Sequence, residues 1–182
     1  GATTITNSPQ LDGKTWNNAN TLTLGAGASN RLTLANSAIV NNQSGATVLI
    51  DSSYVNAFEN AGGSTAHQLN NSGLIRKTNA GTQTLLNAGA ITNASAGTLQ
   101  VDTGMLIVNQ LPTNAGTIDV VSAGAVYSTG GNSLLNATTG VIRGNGTVNL
   151  GTATLTNEGT IRPGSSSGLL TIGGKFDEGC RG

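Results

Sequence analysis

The sequence is short of charge, aromatic residues and cysteine. Eight Lys+Arg balance eight Asp+Glu in 182 residues, so the chain has no formal net charge at pH 7. It offers no basic face for nucleic acid. Only 9% of its residues are charged, against roughly 25% in an ordinary soluble domain. No apolar run approaches the ~18 residues of a membrane-spanning helix. A single cysteine, Cys180, excludes an internal disulfide and a thiolate zinc site. Aromatics make up 3% of the chain. Trp16, Tyr54, Phe58, Tyr127 and Phe176 are too scattered to line a cleft for sugar stacking. Helix is excluded as well. Good helix formers other than Ala and Leu are scarce, and no window repeats apolar residues at three and four over two turns.

What fills the chain is Gly, Asn, Thr and Ser, about half of all residues. One phrase recurs: Asn, a few small residues, Gly, then strand formers. It appears as Asn71-Ser72-Gly73-Leu74-Ile75, Asn87-Ala88-Gly89-Ala90-Ile91, Asn114-Ala115-Gly116-Thr117-Ile118 and Asn157-Glu158-Gly159-Thr160-Ile161. A longer variant runs from Asn136 to Gly140 and on to Val141-Ile142. The gaps between these Asn residues are 16, 27, 22 and 21. Other short strands, such as Thr98-Leu99-Gln100-Val101 and Thr147-Val148-Asn149-Leu150, lie between the phrases. One period thus holds two or three short strands and tight turns.

A single such turn cannot bury its apolar side. Stacked turns can, because each strand pairs with those above and below and closes a narrow apolar column. The expected fold is all-β: a single-domain, right-handed parallel β-helix of about eight coils, with successive strands ~4.8 Å apart. That spacing accounts for the composition. Like charges stacked at one strand spacing repel. Stacked Asn amides donate and accept along the column. Gly supplies the backbone freedom of tight corners. The expected corner residues are Asn71, Gly73, Asn87, Gly89, Asn114, Gly116, Asn136, Gly140, Asn157 and Gly159. The β-helix is expected over residues 1–174, with 1–20 a cap or incomplete coil and 51–68 a longer loop or irregular coil. Residues 175–182 read as a charged tail or cap. A start at Gly1, without an initiator Met or a leader, fits a processed product or an excised segment.

The run from Asn157-Glu158-Gly159-Thr160-Ile161-Arg162-Pro163-Gly164 through Ser165-Ser166-Ser167-Gly168-Leu169-Leu170-Thr171-Ile172-Gly173-Gly174-Lys175-Phe176 resembles a recurring segment of bacterial autotransporter passengers. There a strand runs into Pro-Gly-x-Ser-x-Gly, then Leu-Thr-Ile, Gly and an aromatic. The looser repeats of residues 71–161 are similar to filamentous-haemagglutinin-like surface proteins. The Asn-Pro-Asn-Gly signatures of two-partner secretion domains are absent. The resemblance implies a secreted or surface-attached bacterial β-helix with a structural, adhesive or self-associating role. Its partners would be further copies stacked end to end, or host or cell-surface glycans and proteins.

Residue patterns that suggest chemistry are few. Gly164-Ser165-Ser166-Ser167-Gly168 matches a nucleophile elbow, but no helix follows and the one histidine, His67, lies upstream. Gly25-Ala26-Gly27-Ala28-Ser29-Asn30 lacks the third Gly of a dinucleotide loop and reads as a turn. A polysaccharide lyase or hydrolase on a β-helix needs clustered carboxylates, often with Ca²⁺. Here the acids Asp12, Asp51, Glu59, Asp102, Asp119, Glu158, Asp177 and Glu178 are spread along the chain. An ice-binding solenoid needs ranks of Thr-x-Thr. Thr21/Thr23, Thr82/Thr84 and Thr152/Thr154/Thr156 supply fragments without a period. The sequence assigns no catalytic residue, no metal and no cofactor, and it predicts a non-enzymatic structural or adhesive protein.

Overall fold

A computed structural model describes residues 1–164 and 168–179. Short strands form wherever apolar and β-branched residues alternate with polar ones between Gly, Asn or Ser. Coil one comprises β1 (Thr3–Ile5), β2 (Gln10–Asp12) and β3 (Thr15–Asn18). Coil two is β4 (Thr21–Leu24), β5 (Leu32–Ala35) and β6 (Ile39–Asn42), and coil three is β7 (Thr47–Ile50), β8 (Asn56–Asn60) and β9 (Gln68–Asn71). Coil four is β10 (Leu74–Lys77), β11 (Thr82–Leu86) and β12 (Ala90–Asn93), and coil five is β13 (Thr98–Val101), β14 (Met105–Ile107) and β15 (Thr113–Asn114). Coil six is β16 (Thr117–Val120), β17 (Val126–Ser128) and β18 (Leu134–Asn136). Coil seven is β19 (Val141–Gly144) and β20 (Thr147–Asn157), and coil eight is β21 (Thr160–Pro163) and β22 (Thr171–Glu178).

Every pairing is parallel and joins neighbouring coils. The first strands of the eight coils make one eight-stranded sheet. The second and third strands make two further columns, which join because β20 runs around the corner through both. The fold is therefore the expected all-β parallel solenoid of about eight coils. The first 20 residues supply a full set of strands, each paired to coil two. Lys175–Glu178 lie within β22, where Phe176 pairs with Leu155 and Glu178 with Asn157.

The core is one apolar column built in rows. Leu22, Val48, Ile75, Leu99, Ile118, Ile142 and Ile161 stack in register on the inner side of the first sheet. The first six of these are buried completely, and each contributes about 1.5–3 kcal/mol by leaving water. Phe58 and Tyr127 are also fully buried.

The turn from each third strand into the next coil alternates in length. Asn71, Asn114 and Asn157 reach their Gly in two residues; Asn93 and Asn136 reach Gly97 and Gly140 in four. The longer form closes an extra turn, with Gly97 N donating to Ala94 O and Gly140 N to Ala137 O, both at 2.7 Å. Asn42 does the same with Ala46 in place of Gly, Ala46 N donating to Gln43 O at 3.0 Å. Each short turn presses its glycine onto the long turn below. A Cβ on Gly116 would lie 2.3 Å from both Ala94 O and Gly97 O. Gly116→Ala is thus expected to destabilise the protein by about 2 kcal/mol, within the range of strained single substitutions. Gly124, where an added Cβ meets nothing within 4 Å, is the control. Gly124→Ala should be neutral or stabilising by up to ~1 kcal/mol, through the unfolded chain. Urea unfolding of the two variants checks the contrast.

Candidate functional site

The recurrent Asn is the last residue of the third strand, and it builds a buried ladder. Asn18, Asn42, Asn71, Asn93, Asn114, Asn136 and Asn157 are all buried. Each Nδ2 donates to the Oδ1 of the next coil's Asn at 2.8–2.9 Å. The second amide proton of Asn18, Asn42, Asn71 and Asn93 goes to the carbonyl that opens the first-sheet strand one coil further on, after the next Asn: Thr47, Leu74, Thr98 and Thr117 in turn. Each side chain therefore clamps both ends of the turn above it. All amides point the same way, and the eighth rung is Glu178, whose Oε2 lies 3.5 Å from Asn157 Nδ2. On the outer side of the same strands a shorter ladder runs in the opposite sense. Asn41 Nδ2 donates to Asn17 Oδ1, Asn70 Nδ2 to Asn41 Oδ1, and Thr92 Oγ1 to Asn70 Oδ1.

Of the expected corner residues, Asn71, Asn114, Asn136 and Asn157 are rungs of this ladder. Gly73, Gly116, Gly140 and Gly159 are the close-packed turn residues beside them. Asn87 and Gly89 belong to a different corner. Asn87 is exposed, accepts a bond from Asn60 N at 2.7 Å, and leads into a third strand rather than a first. Ile91 accordingly stacks on Leu69, not on Ile75. The rung missed by the sequence reading is Asn93, with Gly97 four residues on; Asn18 and Asn42 were missed as well. With Asn93 in place of Asn87 the spacings become 22, 21, 22 and 21. The signal was present: Asn93 to Leu99 has the same spacing as Asn136 to Ile142.

The acids tie coil to coil. Asp102 pairs with Arg76 at 2.7 Å and Asp119 with Arg143 at 2.8 Å, on the outer face of the first sheet. Gln100 also donates to Asp102 Oδ1 at 2.6 Å. Asp12 accepts from Asn36 Nδ2, and Asp51 from Thr78 Oγ1. Glu59 is the most elaborate case. It pairs with Arg31, accepts from Tyr54 OH at 3.0 Å and from Asn56 Nδ2 at 3.2 Å, and Arg31 lies over the Tyr54 ring at 3.9 Å. Burial alone would raise the Glu59 carboxyl, but the bonds from Asn56, Tyr54 and Arg31 outweigh it and hold it below its usual value. The hydrogen bond to Glu59 in turn raises the Tyr54 phenol. Among the described residues no three His, Cys, Asp or Glu side chains gather as a metal site would require. The Thr fragments fall on three different columns, in β4, β11 and β20, and form no common rank. Asn30 donates to Gly25 O and Ala26 O at 2.9 Å, which makes residues 25–30 a turn. Ser166 and Cys180 lie outside the described residues.

Lys77 and His67 are buried titratable groups in the interior. Lys77 is fully buried in line with Ile50 and Val101. Its Nζ donates to Asn79 O and to Thr103 O, and no carboxylate among the described residues pairs with it. Burial pushes its amine down to about 8. Lys77→Met, which fills the space without a charge, is expected to stabilise the protein by ~1–2 kcal/mol in urea unfolding at pH 7. The wild type should gain stability as pH rises from about 8 toward the unfolded value near ~10.4, because the unfolded chain there holds the proton longer. The Met variant should lose that slope.

His67 is buried, with Nε2 3.1 Å from Asn60 Oδ1 and Nδ1 without a partner. Burial lowers its pKa below 6.5. Its contribution to stability is complete above the unfolded pKa of about 6.5 and falls away as pH drops through the lower folded value. Unfolding midpoints of wild type and His67→Leu should therefore diverge between neutral and mildly acidic pH and run parallel above it.

No helix among the described residues is long and apolar enough to cross a membrane. Compared with known proteins, the chain matches no family model, no curated protein and no solved structure.

Proposed function

We propose that this chain is a non-enzymatic, structural or adhesive β-helix of a bacterial surface or extracellular protein. The observation that supports this reading is where its polar groups are spent. Asp12, Asp51, Glu59, Asp102 and Asp119 each bond a side chain of the neighbouring coil. The buried amides bond one another along the whole stack. Such a distribution holds a rod together and presents a long repetitive outer surface; it does not converge on a reacting atom. The resemblance of residues 157–176 to autotransporter passengers points the same way, toward secretion and the cell surface.

The test has two arms. Polygalacturonate and alginate are incubated with the protein and Ca²⁺, and chain length is followed. Unchanged polymer is expected, and cleavage overturns the non-enzymatic reading. In the second arm the protein is passed over surfaces bearing host-type glycans or extracellular proteins. Retention on at least one is expected of an adhesive rod, and passage through all of them removes that part of the proposal.

A further inference from the structure

The third column carries one notch. In coil five its strand, β15, is only two residues long, between four-residue β12 and three-residue β18. β12 pairs with β9 at four positions but with β15 only through Asn93 and Asn114. Pro112, which has no N–H to give, ends the preceding loop. The missing half-strand leaves a cleft of about 470 Å³ across coils four to six, a size typical of small-ligand sites.

The cleft wall is uncharged throughout. Ala90, Leu111 and Pro112 give it apolar surface, and Asn109, Gln110, Asn132 and Ser133 give it polar groups. Those side-chain amides and the Ser133 hydroxyl offer both donors and acceptors. Asn132 Nδ2 is committed to Asn109 O and Thr129 O. Asn109 Oδ1 and Gln110 Oε1 are covered and have no hydrogen-bond partner. A covered, unpartnered carbonyl oxygen costs about 1–3 kcal/mol, and two side by side in one loop call for a donor. Both residues are half-buried and line the cleft, and a half-turn of a terminal amide exchanges its oxygen with its NH2.

We propose that this notch is a binding site for a neutral saccharide. Sugar hydroxyls both donate and accept, as the Asn109 and Gln110 amides do, and the C–H face of the ring lies on the exposed Ala90 and Pro112. A charged ligand finds no counter-charge here, and a purely apolar one leaves the acceptors unmet. The inference rests on the adhesive reading and gives it a ligand class.

The test uses ¹⁵N NMR of the whole chain with maltotriose, cellotriose or chitotriose, and with trigalacturonate as the charged comparison. A neutral trisaccharide is expected to move the signals of Ala90, Leu111 and Ser133. Ala90 is exposed, so Ala90→Trp fills the cleft and leaves the core intact; it should weaken binding about tenfold or more. Asn109→Ala removes an unpartnered oxygen, so it should weaken binding without lowering the unfolding midpoint. The site is overturned if no neutral sugar shifts these signals. It is equally overturned if Ala90→Trp binds as wild type does, or if trigalacturonate binds as well as the neutral sugars. Should Ala90→Trp still be held by the surfaces that hold the wild type, adhesion stands and the notch is not its site.

Discussion

Ile118→Asp is expected to remove about 4 kcal/mol or more of stability, a large share of the roughly 5–15 kcal/mol that holds a folded domain together. Ile118 has no exposed surface and sits between Leu99 and Ile142 in the innermost row of the first sheet. Three costs add up there. The apolar contacts of the isoleucine are lost, a void remains beside the shorter side chain, and a carboxylate is placed where no cation reaches it. The carboxylate would stay protonated well above its usual pH, so acidification should narrow the gap between variant and wild type. Thermal and urea unfolding followed by circular dichroism read the effect. A variant that melts with the wild type would mean that Ile118 does not face the column and that the register of the first sheet is wrong.

Asn114→Ala should cost about 3 kcal/mol, while Asn87→Ala, from an almost identical local phrase, should cost no more than ~0.5 kcal/mol. Asn114 Nδ2 donates to Gly116 O and Asn136 Oδ1, both at 2.9 Å, and its Oδ1 accepts from Asn93 Nδ2 at 2.8 Å. Truncation leaves one buried donor proton, on Asn93 Nδ2, and one buried acceptor, Asn136 Oδ1, without partners, each worth about 1–3 kcal/mol, while Gly116 O keeps its bond from Val141 N at 2.8 Å. Asn114→Asp should be worse than alanine. A carboxylate still accepts from Asn93 but cannot donate to Asn136, and it faces that residue's oxygen. Asn87 is exposed and holds only Asn60 N, which water can replace. Equal losses at the two positions would show that the ladder is geometry without energetic weight.

These two expectations mark how far the sequence could be read. The stacked, parallel, all-β character followed from the Asn-Gly phrase, its period and the low charge, because only a stack satisfies so many short strands at once. The phase of one coil did not. Asn87-Ala88-Gly89-Ala90-Ile91 imitates the phrase because every corner of such a coil favours Asn and Gly, whatever strand follows it. Only the pairing of Ile91 with Leu69 shows that it precedes a third strand. The alternation of two- and four-residue turns was written in the spacing of Asn93–Gly97 and Asn136–Gly140. It had no visible meaning until the long turns were seen under the short ones.

The acids were legible as scattered positions and nothing more. Asp102 and Asp119 lie 17 residues apart and do not meet one another. Each meets an arginine a coil away, Arg76 below and Arg143 above. Lys77 and His67 gave no sign of burial, since a lysine or histidine in a polar chain is ordinarily solvated.

The sequence by itself determined that this chain coils: its apolar residues are too few per turn to make a core in any way but stacking, and its small polar residues fit corners. The tertiary structure decided which residues share a column. Two residues about one coil apart become neighbours only when the lengths of every intervening turn are summed, and those lengths range widely. The amide ladder, the arginine staples and the notch beside β15 all depend on that sum. A local pattern defines each turn, but the register between turns belongs to the stack as a whole.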